Sequence, residues 1–302
     1  MDKITRPAIS AETQKKNRSF RVRHILSQAL LYLILIFGAA LAVLPFFWMI
    51  STSLMTLGET ITREWVPAVP QFINYKDAWE QAKFAKYFMN SIIITLTTVT
   101  GLVFTSVFAG YAFGRMKFWG RNIIFAILLS TMMIPETITL LPNMLMIRGA
   151  IFPLPFGNNG SWINTLQALT VPFMANAFSI FLLKQFFAQV PNELYDAARM
   201  DGAGHLRFLL QIVLPISKAP IMTVILFGFI GAWNAFAWPL LVTTRETWRP
   251  LMVGLWTFVT EAGPETHLLM AGAVISLLPI LVVYFFTQKQ FTEGIATTGL
   301  KG

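Results

Sequence analysis

The chain contains no cysteine, only three histidines and few charged residues. The absence of cysteine excludes disulfides, thiolate metal sites and cysteine-based catalysis. The histidines, His24, His205 and His267, lie in separate segments and share no ligand spacing, which argues against a metal site. Charged residues make up 12% of the 302 residues, whereas a soluble domain carries about 25%. The sequence therefore indicates an integral membrane protein.

Acidic residues are scarcer than basic ones, with 14 Asp and Glu against 23 Lys and Arg. In a soluble protein a net charge of +9 would suggest a nucleic-acid partner. Here hydrophobic residues make up 55% of the chain, so the placement of the basic residues relative to the membrane explains the charge better. We therefore expect anionic lipid, and no nucleic acid, as the partner of the basic residues.

Six apolar runs are long enough to cross a bilayer. They cover residues 29–50, 87–114, 122–147, a fourth run that ends at residue 183, 219–244 and 268–288. The first run is longer than the apolar core of a cleaved signal peptide, so we interpret it as a retained span. The sequence predicts an all-α membrane protein with a tail at 1–28, a six-span domain at 29–288 and a tail at 289–302.

The basic residues predict the orientation of these spans. The segments on the side of both termini hold 16 of the 23 Lys and Arg residues, and the opposite segments hold 7. Because cytoplasmic loops carry the excess of Lys and Arg, both termini and the loop at 184–218 are predicted to be cytoplasmic. No internal repeat is visible, and six spans without a second half suggest half of a pore, which requires a second, identical or homologous subunit.

The loop at 184–218 contains the only long polar stretch in the second half of the chain, NELYDAARMDGAGHLRFLLQIVLP at 192–215. Asn192 is placed to cap a helix, with Glu193 and Asp196 near its positive end. Small residues leave one side of this helix bare, and glycines after Asp201 break it. A second helical run is expected to end at Pro215. A short helix of this kind suits docking into a groove of another protein.

The spacing within this stretch resembles a family signature, the EAA motif E-A-A-x3-G-x9-I-x-L-P. Its departure from the motif is an aspartate in place of glutamate at position 196, which keeps the charge and shortens the reach. The matching residues are Asp196, Ala197, Ala198, Gly202, Ile212, Leu214 and Pro215. The motif marks the membrane subunits of binding-protein-dependent ATP-binding cassette (ABC) importers.

The resemblance extends from about residue 25 to the end of the chain. The stretches MIPETITLLP, FLLKQFFAQVPNELYDAARMDGA, WNAFAWPL and GIATTGLKG are similar to sugar-importer permeases of the maltose-transporter type. This resemblance implies a homologous second permease, a dimeric cytoplasmic ATPase and an extracytoplasmic solute-binding protein. It also implies that the chain is not an enzyme and that ATP and Mg²⁺ bind to the ATPase. In agreement, the phosphate-binding pattern G-x-x-x-x-G-K-[ST] is absent from the sequence.

Four polar or aromatic residues within the apolar runs are candidates for a sugar route. Glu136 is the only acid inside a run, and a straight helix would place it about 21 Å along the span. Trp233 and Asn234 would lie at a similar depth, where amide and carboxylate groups bind hydroxyls and an indole stacks on a sugar ring. Asn176 is a weaker candidate. Helix packing, interfacial anchoring and helix–helix hydrogen bonding remain alternative roles.

Two other functions remain open at this point. A secondary transporter would require coupling-ion sites, usually several intramembrane acids or a repeat. A membrane scaffold would explain six spans and a docking loop, but it would not require polar residues at matching depth. The sequence does not identify the transported sugar or polyol, the subunit that contacts it, or the role of the N-terminal tail.

Overall fold

A computed structural model describes the backbone of residues 11–151, 153–157, 159–260 and 263–298, and side chains between residues 24 and 288. The described chain is mostly helical. The helices before residue 175 are α1 (Ala11–Ser53), α2 (Leu57–Thr62), α3 (Ile73–Gln81), α4 (Phe84–Arg115), α5 (Arg121–Ser130), α6 (Glu136–Ile147) and α7 (Leu166–Thr170). Those that follow are α8 (Ala177–Ala188), α9 (Asn192–Met200), α10 (His205–Phe208), α11 (Leu214–Ile216), α12 (Lys218–Trp233), α13 (Ala237–Val242), α14 (Leu251–Leu255) and α15 (Thr266–Thr298).

One short hairpin departs from the all-α prediction. Strands β1 (Val259–Thr260) and β2 (Gly263–Pro264) pair antiparallel in the loop before α15. The remaining segments are single turns. Four are 3₁₀ turns, at Thr131–Met133, Val171–Phe173, Glu246–Trp248 and Trp256–Phe258, and one is a π turn at Leu209–Val213.

Three of the described helices are long and apolar enough to cross a membrane without a break. They are His24–Ser53 of α1, α4, and Thr266–Gln288 of α15. Three further helix pairs reach this length only together, and each is bent at a short break. The pairs are Arg121–Met133 with Glu136–Ile147 (105°), Leu166–Phe173 with Ala177–Ala188 (41°) and His205–Ile216 with Lys218–Trp233 (83°). By length and composition, the described chain therefore has three helices that could span a membrane, or up to six spans if each bent pair counts as one.

The sharpest bend overturns the assumption of a straight third span. Ile134 has extended backbone angles, φ −89° and ψ 118°, immediately before Pro135. Proline lacks an N–H and disfavours the helical conformation of the residue before it, so the helix stops there. The chain turns by 105° at this point, so the third run is not one straight helix. Glu136 lies at the bend itself, and its expected depth of about 21 Å, counted along the helix before the bend, stays a prediction.

Helix α4 is the central helix, since it packs against α8, α12 and α14. Two glycines allow the backbone of α8 to approach closely. A Cβ at Gly110 would lie 3.0 Å from the Cβ of Leu183, and one at Gly114 would lie 3.1 Å from the carbonyl oxygen of Lys184. Small residues at such contacts are typical of membrane helices, whose association depends on close van der Waals packing.

The buried apolar side chains form three clusters. One lies at the Arg115 end of α4 and is called the coupling-side core here. Its buried members are Leu102, Val107, Tyr111, Leu183, Phe187, Val190, Ala198, Phe208, Leu209, Val213 and Val224. A second cluster joins α3, α4, α12, α14 and α15 around Phe84 and Trp233. A third joins α4, α6, α7 and α13 around Ile94 and Trp238.

The two predicted tails are helical over much of their length. Helix α1 begins at Ala11 and continues into the first span, so much of the predicted tail at 1–28 is helical backbone. Helix α15 likewise continues to Thr298, and residues 1–10 and 299–302 lie outside the described residues. Helix α1 packs on α15, and its apolar side chains between residues 25 and 50 are largely exposed in the single chain.

Candidate functional site

Helix α9 occupies the segment in which the sequence predicts a docking helix. It begins at Asn192, with Pro191 in the preceding cap position at φ −54° and ψ 140°. The expectation that Asn192 itself caps the helix is wrong, because Pro191 already supplies the non-helical cap conformation and Asn192 is the first helical residue. Glu193 lies in the first turn, where a negative charge is favourable near the helix N-terminus.

The end of α9 is fixed by a hydrogen-bonded turn around Gly202. Gly202 has φ +77°, the left-handed conformation that favours glycine. Its N–H donates to the carbonyl of Arg199 (3.0 Å), and the N–H of Ala203 donates to the carbonyl of Ala198 (2.8 Å). This pair of bonds defines the Schellman motif. The predicted break after Asp201 is confirmed, and its geometry sets the direction in which the chain leaves the helix.

The two adjacent alanines of α9 lie on different faces. Ala198 is 6% exposed and belongs to the coupling-side core, where it packs with residues of α4, α8 and α10. Ala197 is exposed, together with Glu193, Asp196 and Asp201. The expectation that both alanines form one bare docking surface is therefore corrected. Ala198 attaches the helix to its own chain, and Ala197 with the carboxylates forms the exposed face.

The second helical run continues beyond its predicted end. Helix α10, the π turn and α11 follow one another from His205 to Ile216, so Pro215 lies within the run and does not end it. A π turn directly precedes α11, and such turns rearrange the backbone bonds that a proline cannot make. The break comes at Ser217 before α12. Ile212 and Leu214 are partly buried and pack against the coupling-side core, of which Ala198 is a buried member.

A set of polar contacts that no sequence pattern indicates joins α9 to α4. The hydroxyl of Tyr111 lies 2.9 Å from Nδ1 of His205, and the hydroxyl of Tyr195 lies 3.0 Å from Nε2 of the same ring. Arg115, the last residue of α4, donates to the carbonyl of Val190 at 2.6 Å. Tyr111 and His205 are 94 positions apart, so no local pattern connects them. From the sequence, His205 could be examined only as a metal ligand, a role that the histidine spacing argues against.

Three of the four route candidates lie at interruptions of the spans. Glu136 is the first residue of α6, at the 105° bend. Asn176 caps α8 at the 41° bend, and its Oδ1 accepts from the N–H of Ser179 at 3.1 Å. Asn234 ends α12. The side chains of Glu136, Asn176 and Asn234 are exposed in the single chain. Interrupted helices in membranes occur where backbone faces protein or a water-filled cavity.

The fourth candidate, Trp233, lies inside the protein. Its side chain is 1% exposed, and its indole N–H donates to the carbonyl of Ser276 at 2.9 Å. The ring stacks on Phe229 with 5.7 Å between centroids and meets Phe88 edge-on at 5.6 Å. This placement favours packing between α12, α4 and α15 as the role of Trp233.

Comparison with known proteins agrees with this architecture. Residues 103–296 match the family "Binding-protein-dependent transport system inner membrane component". The arabinooligosaccharides transport system permease protein AraQ of Bacillus subtilis is 30% identical over 83% of this chain and 86% of its own length. The sn-glycerol-3-phosphate transport system permease protein UgpE of Yersinia pestis is 31% identical over 70% of this chain and 73% of its own.

A solved structure shows the same fold. The chain superposes with a TM-score of 0.72 on a chain of a bacterial ABC transporter involved in the import of alginate. The two are 24% identical, and the match covers 94% of this chain and 99% of the other. The family match covers more than half of the chain and includes the whole of α9. The chain belongs to the family of binding-protein-dependent transport system inner membrane components, and is a multi-pass membrane protein of ABC importers.

Proposed function

We propose that this chain is the permease subunit of an ATP-driven importer that moves a sugar or a related polyol across the inner membrane. The names of the relatives support this substrate class, since one transports arabinooligosaccharides and another sn-glycerol-3-phosphate. The working complex contains a homologous second permease, a dimeric cytoplasmic ATPase and an extracytoplasmic solute-binding protein. The chain is not itself an enzyme, because ATP and Mg²⁺ bind to the ATPase.

In this proposal the chain crosses the membrane six times, with both termini in the cytoplasm. The three continuous helices support three spans, and the bent pairs Arg121–Met133 with Glu136–Ile147 and Leu166–Phe173 with Ala177–Ala188 support two more if each pair forms one span. Helix α12 together with α13 supplies the sixth, after the coupling loop that contains His205–Ile216. The charge distribution supports the orientation, since the segments on the side of the termini hold 16 of the 23 basic residues. Residues 29–288 form the membrane domain, with the coupling loop at 184–218, and the flanking tails extend into the cytoplasm.

The observation that carries the proposal is the two-faced geometry of α9. One face is bound to the coupling-side core through Ala198, and the other presents Glu193, Asp196 and Ala197 to the outside. If the exposed face docks in a groove of the ATPase, a movement of the ATPase displaces α9. Helices α4 and α8 then move with it, because the inner face of α9 packs against them. Small and acidic residues permit close approach and pairing with basic groups of the ATPase. Gly202 ends the helix with its turn, Ile212, Leu214 and Pro215 belong to the run that packs on the coupling-side core, and Asp201 lies on the exposed face with the other carboxylates.

We place the substrate route at the interrupted spans. Glu136, Asn176 and Asn234 offer a carboxylate and two amides, which bind sugar hydroxyls as acceptors and donors. All three are exposed in the single chain and lie at helix breaks or ends. Trp233 supports this region by holding α12 against α15. The homologous permease faces these residues across the route.

Transport in reconstituted vesicles tests the proposal. The purified four-component complex is placed in liposomes, with ATP inside or outside, and the uptake of labelled arabinooligosaccharides and glycerol 3-phosphate is measured with and without the binding protein. We expect uptake that requires ATP and the binding protein and that persists when ionophores collapse all ion gradients. Uptake driven by a gradient alone would identify a secondary transporter, and no uptake of any solute would identify a scaffold.

A further inference from the structure

Three residues from separate elements form one hydrogen-bonded bridge beside α9. Tyr111 lies near the end of α4, Tyr195 lies in the middle of α9, and His205 begins α10. The imidazole stands between the two phenols, with 2.9 Å from Nδ1 to the Tyr111 hydroxyl and 3.0 Å from Nε2 to the Tyr195 hydroxyl. Both ring nitrogens of His205 are therefore used for the same connection, which runs from the central helix to α9.

The chemistry of these groups allows both hydrogen bonds to form with either tautomer of the ring. A neutral imidazole has one N–H donor and one bare acceptor nitrogen, whereas a phenol hydroxyl can donate or accept. One tyrosine can thus donate to the bare nitrogen while the other accepts from the N–H, in either tautomer. The contact is also aromatic, because the Tyr195 ring stacks on His205 with 5.1 Å between centroids and an interplanar angle of 20°.

The bridge is anchored at its inner end. Tyr111 is 3% exposed and belongs to the coupling-side core, Tyr195 is partly buried, and His205 is exposed. Tyr195 precedes Asp196 and Ala197, which lie on the exposed face of α9. The connection therefore starts next to the face that would contact the ATPase and ends on a buried side chain of α4.

Apolar packing alone would hold α9 less specifically. The contact of Ala198 with the coupling-side core is non-directional, so α9 could slide or rotate over it at modest cost. Hydrogen bonds have preferred distances and angles, and the two bonds of His205 fix the rotation of α9 relative to α4. Arg115 adds a second fixed point, through its bond to the carbonyl of Val190 just before α9.

We propose that Tyr111, His205 and Tyr195 are positioning residues that transmit the displacement of α9 to α4 during the transport cycle. This inference rests on the proposed function, in which α9 docks to the ATPase. The bridge does not create the docking surface, since the exposed face of α9 presents other side chains. Its loss should therefore uncouple ATP hydrolysis from transport while the ATPase remains bound.

The test uses substitutions that remove hydrogen bonds with little change of volume. Tyr195→Phe and Tyr111→Phe each delete one hydroxyl, and His205→Leu deletes both bonds. A hydrogen bond of this kind shifts an equilibrium by about two- to tenfold. We expect the number of sugars transported per ATP to fall by about that factor, with normal co-purification of the ATPase. Tyr32→Phe, on the exposed face of α1, is the matched control and should leave the ratio unchanged.

Two further readouts separate positioning from a general structural role. His205→Gln keeps one donor and one acceptor on neighbouring atoms and should restore part of the coupling that His205→Leu loses. Adding Tyr195→Phe to His205→Leu should lower the ratio no further, because the bond is already absent. A spin label on Met200→Cys, the end of α9 in this cysteine-free chain, should become more mobile in the bridge variants.

The wild-type complex in the same vesicles keeps this inference separate from the proposed function. If the wild type transports sugar with ATP and the Tyr195→Phe and His205→Leu variants show full coupling and unchanged label mobility, the bridge proposal is overturned and the proposed function stands. Should Tyr111→Phe fail to fold, the variants Tyr195→Phe and His205→Leu still test the proposal, because Tyr195 is only partly buried and His205 is exposed. A wild type without ATP-driven uptake would instead refute the proposed function on which the bridge rests.

Discussion

The ammonium nitrogen of Lys83 lies 2.8 Å from a carboxylate oxygen of Glu246, although the two residues are 163 positions apart. Lys83 directly precedes α4, and Glu246 begins the turn that follows α13. The amide of Asn90 donates to the carbonyls of Thr247 and Arg249 in the same loop, at 3.0 and 2.9 Å. These contacts fasten the loop to the end of α4 that lies opposite α9.

The pair has a defined pH dependence. The hydrogen bond and the charge of Lys83 lower the pKa of Glu246 below its usual 4.5, and those of Glu246 raise the pKa of Lys83 above its usual 10.5. The stabilisation of the folded state by Glu246 is fully present above the pKa that this group has in the unfolded chain. It is lost as the pH falls through the lowered pKa of the folded state. The stabilisation by Lys83 is fully present below the pKa that this group has in the unfolded chain, and it is lost as the pH rises through the raised pKa of the folded state.

We therefore expect Glu246→Gln to lower the melting temperature of the purified complex by a constant small amount between about pH 6 and 9. The difference from the wild type should shrink in acid, and also in 1 M salt, because the pair is exposed and screened. Glu80→Gln, which breaks the looser Lys76–Glu80 pair of 3.9 Å, is the matched control and should have less effect. A difference in melting temperature that grows in acid would contradict a stabilising ion pair between Lys83 and Glu246.

The orientation of the chain can be tested with single cysteines in the cysteine-free sequence. Ile61 on α2 is 72% exposed and Met200 on α9 is 85% exposed, so both sites react readily once a reagent reaches them. We expect Ile61→Cys to react with a membrane-impermeant maleimide from outside intact cells, and Met200→Cys to react only after lysis. Labelling in the reverse order would invert the topology and place α9 outside the cytoplasm.

The local structure of α9 is readable from sequence because its signals act over a few residues. Pro191 precedes the helix, the acidic residues favour its first turn, and Gly202 supplies the positive φ at its end. Sequence could not tell which of Ala197 and Ala198 faces the core. Consecutive residues of a helix point about 100° apart, and the position of the core depends on α4 and α8, which are distant in the chain.

The remaining differences have the same cause. Within the apolar run at 122–147, Pro135 and Glu136 mark where the helix is interrupted, but the angle of 105° by which the backbone turns there depends on tertiary contacts that the local sequence does not set. The sequence indicates that Trp233 could stack on a sugar, but only the packing of α12 on α15 pairs its N–H with the carbonyl of Ser276. The partner of His205 on α4 is likewise fixed by tertiary contacts. Family membership, in contrast, is predictable because the motif is contiguous.

The role of Glu136 can be separated from helix packing by a neutral substitution. If its carboxylate lines the route, Glu136→Gln should lower uptake per assembled complex or change the preference between neutral sugars and glycerol 3-phosphate. Removal of the negative charge would favour the anionic substrate. The measurement is uptake normalised to the amount of complex recovered by size-exclusion chromatography. Glu64→Gln, an exposed acid in the loop after α2, serves as the control.

Unchanged uptake and unchanged preference in Glu136→Gln would remove this residue from the route. A loss of uptake that parallels a loss of assembled complex would assign Glu136 to the bend at Pro135. In that second case the two amides, Asn176 and Asn234, remain the candidates for contact with the substrate.

The two faces of α9 predict different effects of the same substitution at adjacent positions. Ala198→Leu adds volume within the coupling-side core, where overpacking costs about 1–3 kcal/mol, and should lower the melting temperature of the permease pair without the ATPase. Ala197→Leu adds the same volume on the exposed face and should leave that temperature unchanged while weakening co-purification of the ATPase. Equal effects of both variants on stability would mean that the faces are assigned wrongly.

Gly202 and Gly204 provide the most selective test of the turn that ends α9. A Cβ would meet nothing within 4 Å at either position, so sterics with neighbours do not distinguish them. Gly202 has φ +77°, whereas Gly204 has φ −81° and ψ 176° at the cap position of α10. A non-glycine residue in the left-handed conformation costs about 1–2 kcal/mol, while serine is a favourable cap residue in the extended conformation.

Gly202→Ser should therefore strain the Schellman turn, tilt or fray α9, and reduce both the co-purification of the ATPase and the stimulation of ATP hydrolysis by the loaded binding protein. Gly204→Ser should be neutral or slightly stabilising in the same assays, although it lies two residues away and adds the same side chain. The comparison depends only on the backbone angle, because the added atoms and the local exposure are alike. If both variants hydrolyse ATP and retain the ATPase as the wild type does, the direction of the turn at Gly202 has no part in coupling.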